Sequence, residues 1–418
     1  MSALWRPYAV PGVPASLRLA QGEGAYVTDS AGRRYLNAVG GLWNLSLGLG
    51  NDKIIERVCQ QMRNMAYASL FDSTHTPAEL LAERLISLSA GSMKFVYLST
   101  SGTSAVEVAL RVARLHHRAN GHSSKQRILS FDRSYHGCSA MNLSASGIVR
   151  GDVEKWDEIL PGFQLIPSPL DESSSLECLS RLLREDAGEI ACLIMEPILG
   201  SGGIIVPSPE YCQTVTKLCR NADVLLIVDE VATGGGRCGS MFASNLLSLE
   251  PDIITLSKGL NSGYFPVGAT LFSASTCLPI QRANIPIQFG STQDGNPVGC
   301  ATVLAALDIV AEEGLLDRVE TLGHRIRSEL TALAGERGAI SVRGMGLMIG
   351  IELSHEYPDK RLFTELETQQ VRMRCQEEGL LVYSFDSGIS LFPPLTISDD
   401  EVEEMLEILR DVISGYIA

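Results

Sequence analysis

The fold of this chain is decided by the stretch LIVDEVATGGGRCGSMFASNLLSLEPDIITLSKGL, residues 226–260. Two short apolar runs each lead to a charged residue: the first ends at Asp229, and the second is followed by Lys258. Continuous apolar runs of this length are typical of strands that are buried on both faces of a parallel sheet. Ligands bind beyond the carboxyl ends of such strands, so we expect both side chains to face one site.

The same alternation of strands and helices extends through the middle of the chain. The predicted strands are KFVYLS (94–99), RILSF (127–131), EIACLIMEP (189–197), DVLLIVDE (223–230), DIITLS (252–257) and GATLFS (268–273). AVEVALRVARLHHRA (105–119) has helical apolar spacing, and residues 24–39 have the pattern of a hairpin. The sequence therefore predicts an α/β fold with a mostly parallel central sheet between helices.

A chain of 418 residues is long enough for two domains. We predict a large domain over residues 46–310. A smaller α+β domain combines residues 1–45 with residues 311–418. In the latter segment, amphipathic helices near 315–333 and 362–378 precede a strand pair and a final helix from Asp399.

Composition excludes several classes of function. The formal net charge is -15 and no lysine–arginine block stands out, so binding nucleic acid through its phosphates is not expected. Ten cysteines occur without a CxxC pair, which favours a reducing compartment and free thiols. With no membrane-length apolar run and no signal-peptide pattern, we expect a cytoplasmic protein without a membrane partner.

The acid and the lysine have a chemical use together. A lysine forms a Schiff base with a carbonyl, and a buried carboxylate holds a ring nitrogen protonated. Pyridoxal 5'-phosphate (PLP) requires both groups. Taken singly, each residue is more often a capping aspartate or a surface lysine.

A phosphate site is also predicted. In LSTSGTSAVEVALRVAR (98–114), Ser101, Gly102 and Thr103 separate a strand from a helix. The free N–H groups at a helix N-terminus suit a phosphate, although serine and threonine are also ordinary N-caps. Tyr135, in SYHG, could stack on a flat cofactor or be a core aromatic.

In this order, the motifs resemble the class III PLP-dependent aminotransferases of fold type I. The resemblance is carried by SGTSAVEVALRVAR, SYHG, MEPILGSGG, LIVDEVATGGGRCGSMFA, PDIITLSKGL, FPVGA, GSTQDGNPVGCATVLAALDIV, VRGMGLMIGIEL and PPLTISDDEVEEML. It spans most of the chain from Gly24 onward. It implies transfer of an amino group from a donor amine to a carbonyl acceptor in two half-reactions.

The resemblance also implies a role for each matching residue. Lys258 would bind the cofactor aldehyde and move a proton, and Asp229 would pair with the pyridinium nitrogen. Val231 and Tyr135 would cover the two ring faces, and Glu196 would support the site around Asp229.

The remaining implied contacts concern the phosphate, the partner subunit and the substrate. Gly102 and Thr103, beside Ser101, would hold the phosphate. Thr292, with Ser291 beside it, would reach the phosphate in the neighbouring subunit. A homodimer with shared active sites follows from this. Trp43, in GLWNLSLG, resembles a pocket residue of the amine (ω-) transaminase branch.

Three positions depart from the pattern of relatives that clamp a substrate carboxylate. Ser390 stands where many have an arginine, Ser201 where they have its glutamate partner, and Tyr383 where amine transaminases have a mobile arginine. We therefore expect a substrate without a carboxylate next to its reacting carbon, in a specialised biosynthetic pathway. Alternatively, Arg133 or Arg150 binds a substrate carboxylate, or the alignment with these relatives near the C-terminus is out of register.

Other functions remain open at this point. The same fold and cofactor serve aminomutases, racemases and decarboxylases, and a non-catalytic scaffold could retain the fold. The histidines at 116, 117 and 122 could indicate a metal site. Their irregular spacing, without a cysteine or acid partner set, instead predicts a solvated helix end and no bound metal.

Overall fold

A computed structural model describes residues 3–89, 91, 93–335, 340–355 and 361–417. The strands are β1 Leu19–Glu23, β2 Tyr26–Asp29, β3 Arg34–Asn37, β4 Met93–Ser99, β5 Arg127–Phe131, β6 Phe163–Ile166, β7 Ile190–Met195, β8 Leu225–Asp229, β9 Ile253–Leu256, β10 Gly268–Ser273, β11 Ile340–Met345, β12 Met348–Leu353, β13 Leu380–Leu381, β14 Tyr383–Phe385 and β15 Gly388–Leu391.

The helices are α1 Gly40–Trp43, α2 Asp52–Asn64, α3 Thr76–Leu88, α4 Gly102–Ala119, α5 Ala140–Ala145, α6 Arg150–Val153, α7 Glu172–Glu185, α8 Pro209–Asn221, α9 Ala243–Leu246, α10 Ala274–Ala283, α11 Pro297–Glu312, α12 Leu315–Gly335, α13 Glu365–Glu377 and α14 Asp399–Ile417. Short 3₁₀ helices span Pro169–Asp171 and Lys258–Leu260.

The central sheet has seven strands in the order β4-β10-β9-β8-β7-β5-β6. Strand β10 is antiparallel to both of its neighbours, and the pairs among β9, β8, β7, β5 and β6 are parallel. All six segments predicted as strands from the sequence are strands of this sheet. The predicted α/β class with a mostly parallel sheet is confirmed.

The sheet is buried on both faces, which explains its continuous apolar strands. Every residue of β7, β8 and β9 is buried. On one face Ile194 and Ile227 pack in a cluster with Val108 of α4. On the other face Leu193 and Val228 pack in a cluster with α7 and α8. Helices therefore cover both sides of the central strands, as the sequence predicted.

Segments from both ends of the chain share a second sheet. Its order is β1-β2-β3-β13, and β13 pairs in parallel with β3 through Leu380 and Leu36. A third sheet has the order β11-β12-β15-β14. This arrangement is the one expected of a domain built from both ends, while the domain boundaries at residues 45 and 311 stay predictions.

The prediction that the histidines at 116, 117 and 122 lie at a solvated helix end is wrong for two of the three. His116 and His117 are buried, whereas His122 is exposed. His116 Nδ1 lies 2.9 Å from the carbonyl oxygen of Thr276, and His117 Nε2 lies 2.9 Å from that of Ala191. The end of α4 packs on the sheet and on α10, so these imidazoles replace water with carbonyl partners.

Within the described ranges, no helix combines the length and the apolarity needed to cross a bilayer.

Candidate active site

Asp229 and Lys258 lie at the ends of neighbouring strands and line one cavity of about 540 Å³. Asp229 is the last residue of β8 and pairs in register with Thr255 of β9. Lys258 opens the 3₁₀ helix after β9, with a backbone φ of 38°. Ends of parallel strands meet at one edge of a sheet, so the two apolar runs bring the acid and the amine together.

The carboxylate of Asp229 is held by three hydrogen-bond donors. His136 Nδ1 lies 2.7 Å from Oδ2, while Thr255 Oγ1 and the Val231 backbone N–H donate to Oδ1 at 2.9 and 3.1 Å. An ionised carboxylate only accepts hydrogen bonds, so the Nδ1 of His136 carries the shared proton. These three contacts fix the orientation of the carboxylate.

Lys258 is half-buried in the same cavity, and desolvation lowers the pKa of its ammonium group, against the attraction of Glu196 and Asp229. Its Nζ lies 4.5 Å from the centroid of the Trp43 ring. A lowered pKa increases the fraction of neutral amine, which is the nucleophilic form. Burial likewise raises the pKa of Glu196 to about 7.

The N-terminus of α4 forms one wall of the cavity. Ser101, Gly102 and Thr103 all line it. A Cβ on Gly102 would lie 2.9 Å from Cγ1 of Val231, so only glycine leaves the space open. The first N–H groups of a helix have no acceptors within the helix and can bind an anion. The hydroxyl of Ser101 already accepts from the Ser104 N–H as the N-cap.

Tyr135 and Val231 also line the cavity. Glu196 joins two backbone segments beside the cavity: Oε1 accepts from the Tyr135 N–H and Oε2 from the Gly200 N–H, each at 3.0 Å. The Tyr135 hydroxyl lies 3.3 Å from that of Tyr8, a residue that sequence reasoning did not identify.

Two of the three predicted substrate residues line the cavity. Trp43 stacks on Phe392 with ring centroids 4.4 Å apart and contacts the edge of Tyr383 at 5.4 Å. Ser390 is 1% exposed on β15, directly opposite Tyr383 in the antiparallel register, and is not among the lining residues. Ser201 does line the cavity.

The predicted pair at 291 and 292 lies elsewhere. Both residues are exposed, and neither lines the cavity of its own chain. The carbonyl oxygen of Thr292 accepts a hydrogen bond from the Tyr67 hydroxyl at 2.9 Å, and the Ser291 N–H donates to Asp294 at 2.7 Å.

The described residues that line the cavity include no arginine. Arg133 donates to the carbonyl oxygen of Gly202 at 3.2 Å and faces Asp386 at 3.5 Å. Arg150 pairs with Glu154 at 3.0 Å. The two arginines considered from the sequence therefore have partners outside the cavity.

These residues fit PLP. The cavity offers a half-buried amine, a carboxylate fixed by three donors, a helix N-terminus kept open by a glycine, and an aromatic ring. Sequence reasoning missed His136, although it stands next to Tyr135 in SYHG, because no spacing signal links it to Asp229. It missed Tyr8 because that residue belongs to no recognisable motif.

Comparisons with known proteins agree with this chemistry. The family model for class III aminotransferases matches residues 8–413. The Bacillus subtilis (strain 168) protein named uncharacterized aminotransferase YhxA is 34% identical over 418 residues, with 95% of this chain and 91% of the relative covered. The omega-aminotransferase of Caulobacter vibrioides is 31% identical, with 94% and 93% covered.

A solved structure extends the comparison to three dimensions. The PLP-bound amine transaminase from an uncultivated Pseudomonas species matches with a TM-score of 0.94 and 32% identity, covering 99% of each chain. The chain therefore belongs to the class III aminotransferases, and its reaction is PLP-dependent transamination.

Proposed function

We propose that this enzyme is an amine transaminase with at least one natural substrate that has no carboxylate next to the reacting carbon. Lys258 and Asp229 carry the chemistry in two half-reactions, and Trp43 and Tyr383 contact the substrate. The loss of the arginine–glutamate switch at positions 390 and 201 favours a role in a specialised biosynthetic pathway.

Bound PLP supplies an electron sink for the carbanion at the substrate Cα. Lys258 would supply the proton transfer, since desolvation lowers the pKa of its ammonium group and so favours the neutral form that accepts a proton from that carbon. Asp229 supplies a fixed negative charge, which stabilises a protonated ring nitrogen. Tyr135 and Val231 would contact the ring of the bound cofactor, and Glu196 accepts a hydrogen bond from the Tyr135 backbone N–H.

The lining of the cavity carries the substrate proposal. Away from Lys258 and the two carboxylates, its polar groups include the hydroxyls of Tyr8, Tyr135 and Tyr383 beside the apolar face of Trp43. Burying a carboxylate without a cation is costly, and a charge-assisted hydrogen bond to one contributes about 1.5–3 kcal/mol. An amine that has no carboxylate, including an aromatic amine, fits this lining better than an α-amino acid.

The proposed enzyme is a cytoplasmic homodimer with shared active sites. Exposed Ser291 and Thr292 are free to reach a neighbouring subunit, which supports a homodimer with shared sites. The ten cysteines are all unpaired, which supports a cytoplasmic location.

The experiment measures the amino-donor half-reaction with PLP-loaded enzyme, without an acceptor. The donors are alanine, glutamate, ornithine, simple monoamines and diamines. We expect a monoamine or diamine to react faster than alanine or glutamate. Tyr383→Arg should reverse part of this preference, and Tyr383→Phe, the matched control without a cation, should not. If wild-type enzyme reacts with glutamate far faster than with any amine, the proposed substrate class is wrong.

A further inference from the structure

A second cluster of ligand groups lies at the end of α4 that is far from the cavity. One ring nitrogen each of His117 and His122 and a carboxylate oxygen of Asp223 all lie within 4.8 Å of one another. His117 is in the last turn of α4, and His122 follows the helix. Asp223 lies in the turn between α8 and β8. Folding thus supplies the acid partner that sequence spacing could not reveal.

His117 is arranged as a metal ligand would be. Its Nε2 lies 2.9 Å from the Ala191 carbonyl oxygen and must carry the proton, because a carbonyl only accepts. Its Nδ1 then presents a lone pair, and this buried atom has no hydrogen-bond partner among the described residues. Metal-binding histidines commonly donate the other ring N–H to a carbonyl, which fixes the tautomer.

We propose that His117, His122 and Asp223 bind one divalent transition-metal ion of the Zn²⁺ type, with water completing the coordination. Two imidazoles and a carboxylate suit such borderline ions better than Ca²⁺ or Mg²⁺. Ligand atoms about 2.0–2.2 Å from zinc lie at most about 4.4 Å apart. The exposed side chains of His122 and Asp223 close the remaining gap by rotation.

Lys125 weakens metal binding at this cluster. Its Nζ lies 2.9 Å from Asp223 Oδ2 and also binds the carbonyl oxygen of Ala222. The ammonium competes for the same carboxylate and repels a cation. Its removal should therefore strengthen metal binding, whereas a purely structural Lys125–Asp223 pair predicts no metal binding at all.

The position of the cluster, at the end of α4 away from the cavity, indicates a structural ion rather than a catalytic one. Helix α4 has 18 residues, about 27 Å of helix, and its other end lines the cofactor cavity. Strand β8 also starts beside the cluster, after Asp223, and ends at Asp229. An ion here ties the distal ends of the two elements together. Because it binds the folded chain, it stabilises that chain by mass action and leaves turnover unchanged.

The test uses PLP-loaded enzyme that has been dialysed against a chelator and then equilibrated with Zn²⁺. We expect one zinc per chain by elemental analysis and a higher Tm with zinc. His122→Ala and Asp223→Ala should each weaken binding by more than about tenfold, since loss of even an outer partner costs about 10–100-fold. Lys125→Met should bind more tightly, and kcat should not change in any of these variants.

His324→Ala is the matched control, because this exposed histidine lies on α12, outside the cluster. It should bind zinc like the unmodified enzyme. The proposal is overturned if the unmodified enzyme retains no zinc. It is also overturned if His122→Ala and Asp223→Ala bind zinc as tightly as that enzyme does, since the ion then lies elsewhere, for example on exposed Cys59 or Cys138.

Discussion

His136 donates from Nδ1 to Oδ2 of Asp229 across 2.7 Å, and both side chains are buried. The Nε2 of His136 is buried and has no hydrogen-bond partner among the described residues. The imidazole therefore has one polar contact to make, and that contact orients the carboxylate that faces the cofactor site. His136 acts through Asp229 as a positioning residue.

His136→Ala should lower kcat by about 10- to 100-fold, since a hydrogen bond to a charged group contributes about 1.5–3 kcal/mol. PLP content and Tm are measured beside kcat, so that a folding defect is separated from a catalytic one. His136→Asn, which keeps a side-chain donor, should recover part of the loss. An unchanged kcat in His136→Ala would show that Thr255 and Val231 orient Asp229 without the histidine.

Asp229→Asn should retain PLP but lose most of the rate. The amide preserves shape and removes the negative charge that stabilises a protonated ring nitrogen. Each tenfold loss of kcat corresponds to about 1.4 kcal/mol of barrier. The measurement is the single-turnover rate with saturating amine, together with the absorption spectrum of the bound cofactor. A rate equal to that of the unmodified enzyme would place the ring-nitrogen partner on another residue.

Glu196 should make the PLP-free protein less stable as pH rises. Below the ordinary value of 4.5, the carboxyl is protonated in both folded and unfolded chains. Between 4.5 and about 7, the unfolded chain has released the proton while the folded chain retains it. Stability therefore falls across this window, by up to about 3 kcal/mol.

Glu196→Gln should lose this contribution, because the amide does not titrate. Tm is compared between pH 5 and pH 8 for both proteins without PLP, and the quantity of interest is the difference in slope. Equal slopes for the two proteins would show that Glu196 is ionised throughout.

Thr292→Ala should raise the PLP dissociation constant if the threonine acts in the neighbouring subunit. The structure leaves this residue exposed and outside its own cavity. Heterodimers of a Thr292→Ala chain with a Lys258→Ala chain test the arrangement at limiting PLP. A threonine acting across the interface leaves one site intact, with normal PLP affinity. Weak PLP binding at the one remaining active site would place Thr292 in the site of its own chain.

The features that depend on consecutive residues, such as the apolar strands and the start of α4, could be predicted from the sequence. The apolar runs of β8 and β9 and the small residues before α4 are continuous in sequence, so their ends could be placed in one site. Helix α13 begins at Glu365, later than the predicted 362, because Thr364 and Glu367 form a capping box there.

Contacts between distant residues could not be predicted in this way. His136 and Asp229 are 93 positions apart, and Tyr8 and Tyr135 are 127 apart. His117 looked like a surface residue because its partner carbonyl, at Ala191, lies 74 positions away. Ser390 was chosen by motif alone, and the register that buries it opposite Tyr383 depends on how β14 and β15 pair.

The most direct test of the central claim, that Lys258 catalyses transamination, is a single turnover analysed by mass spectrometry. PLP-loaded enzyme is mixed with its best amine and no acceptor. We predict one equivalent of released carbonyl product and one of the pyridoxamine form of the cofactor. Lys258→Ala should yield neither while keeping its fold. Conversion of the amine to an isomer or to a decarboxylated product, with the cofactor still PLP, would contradict the account.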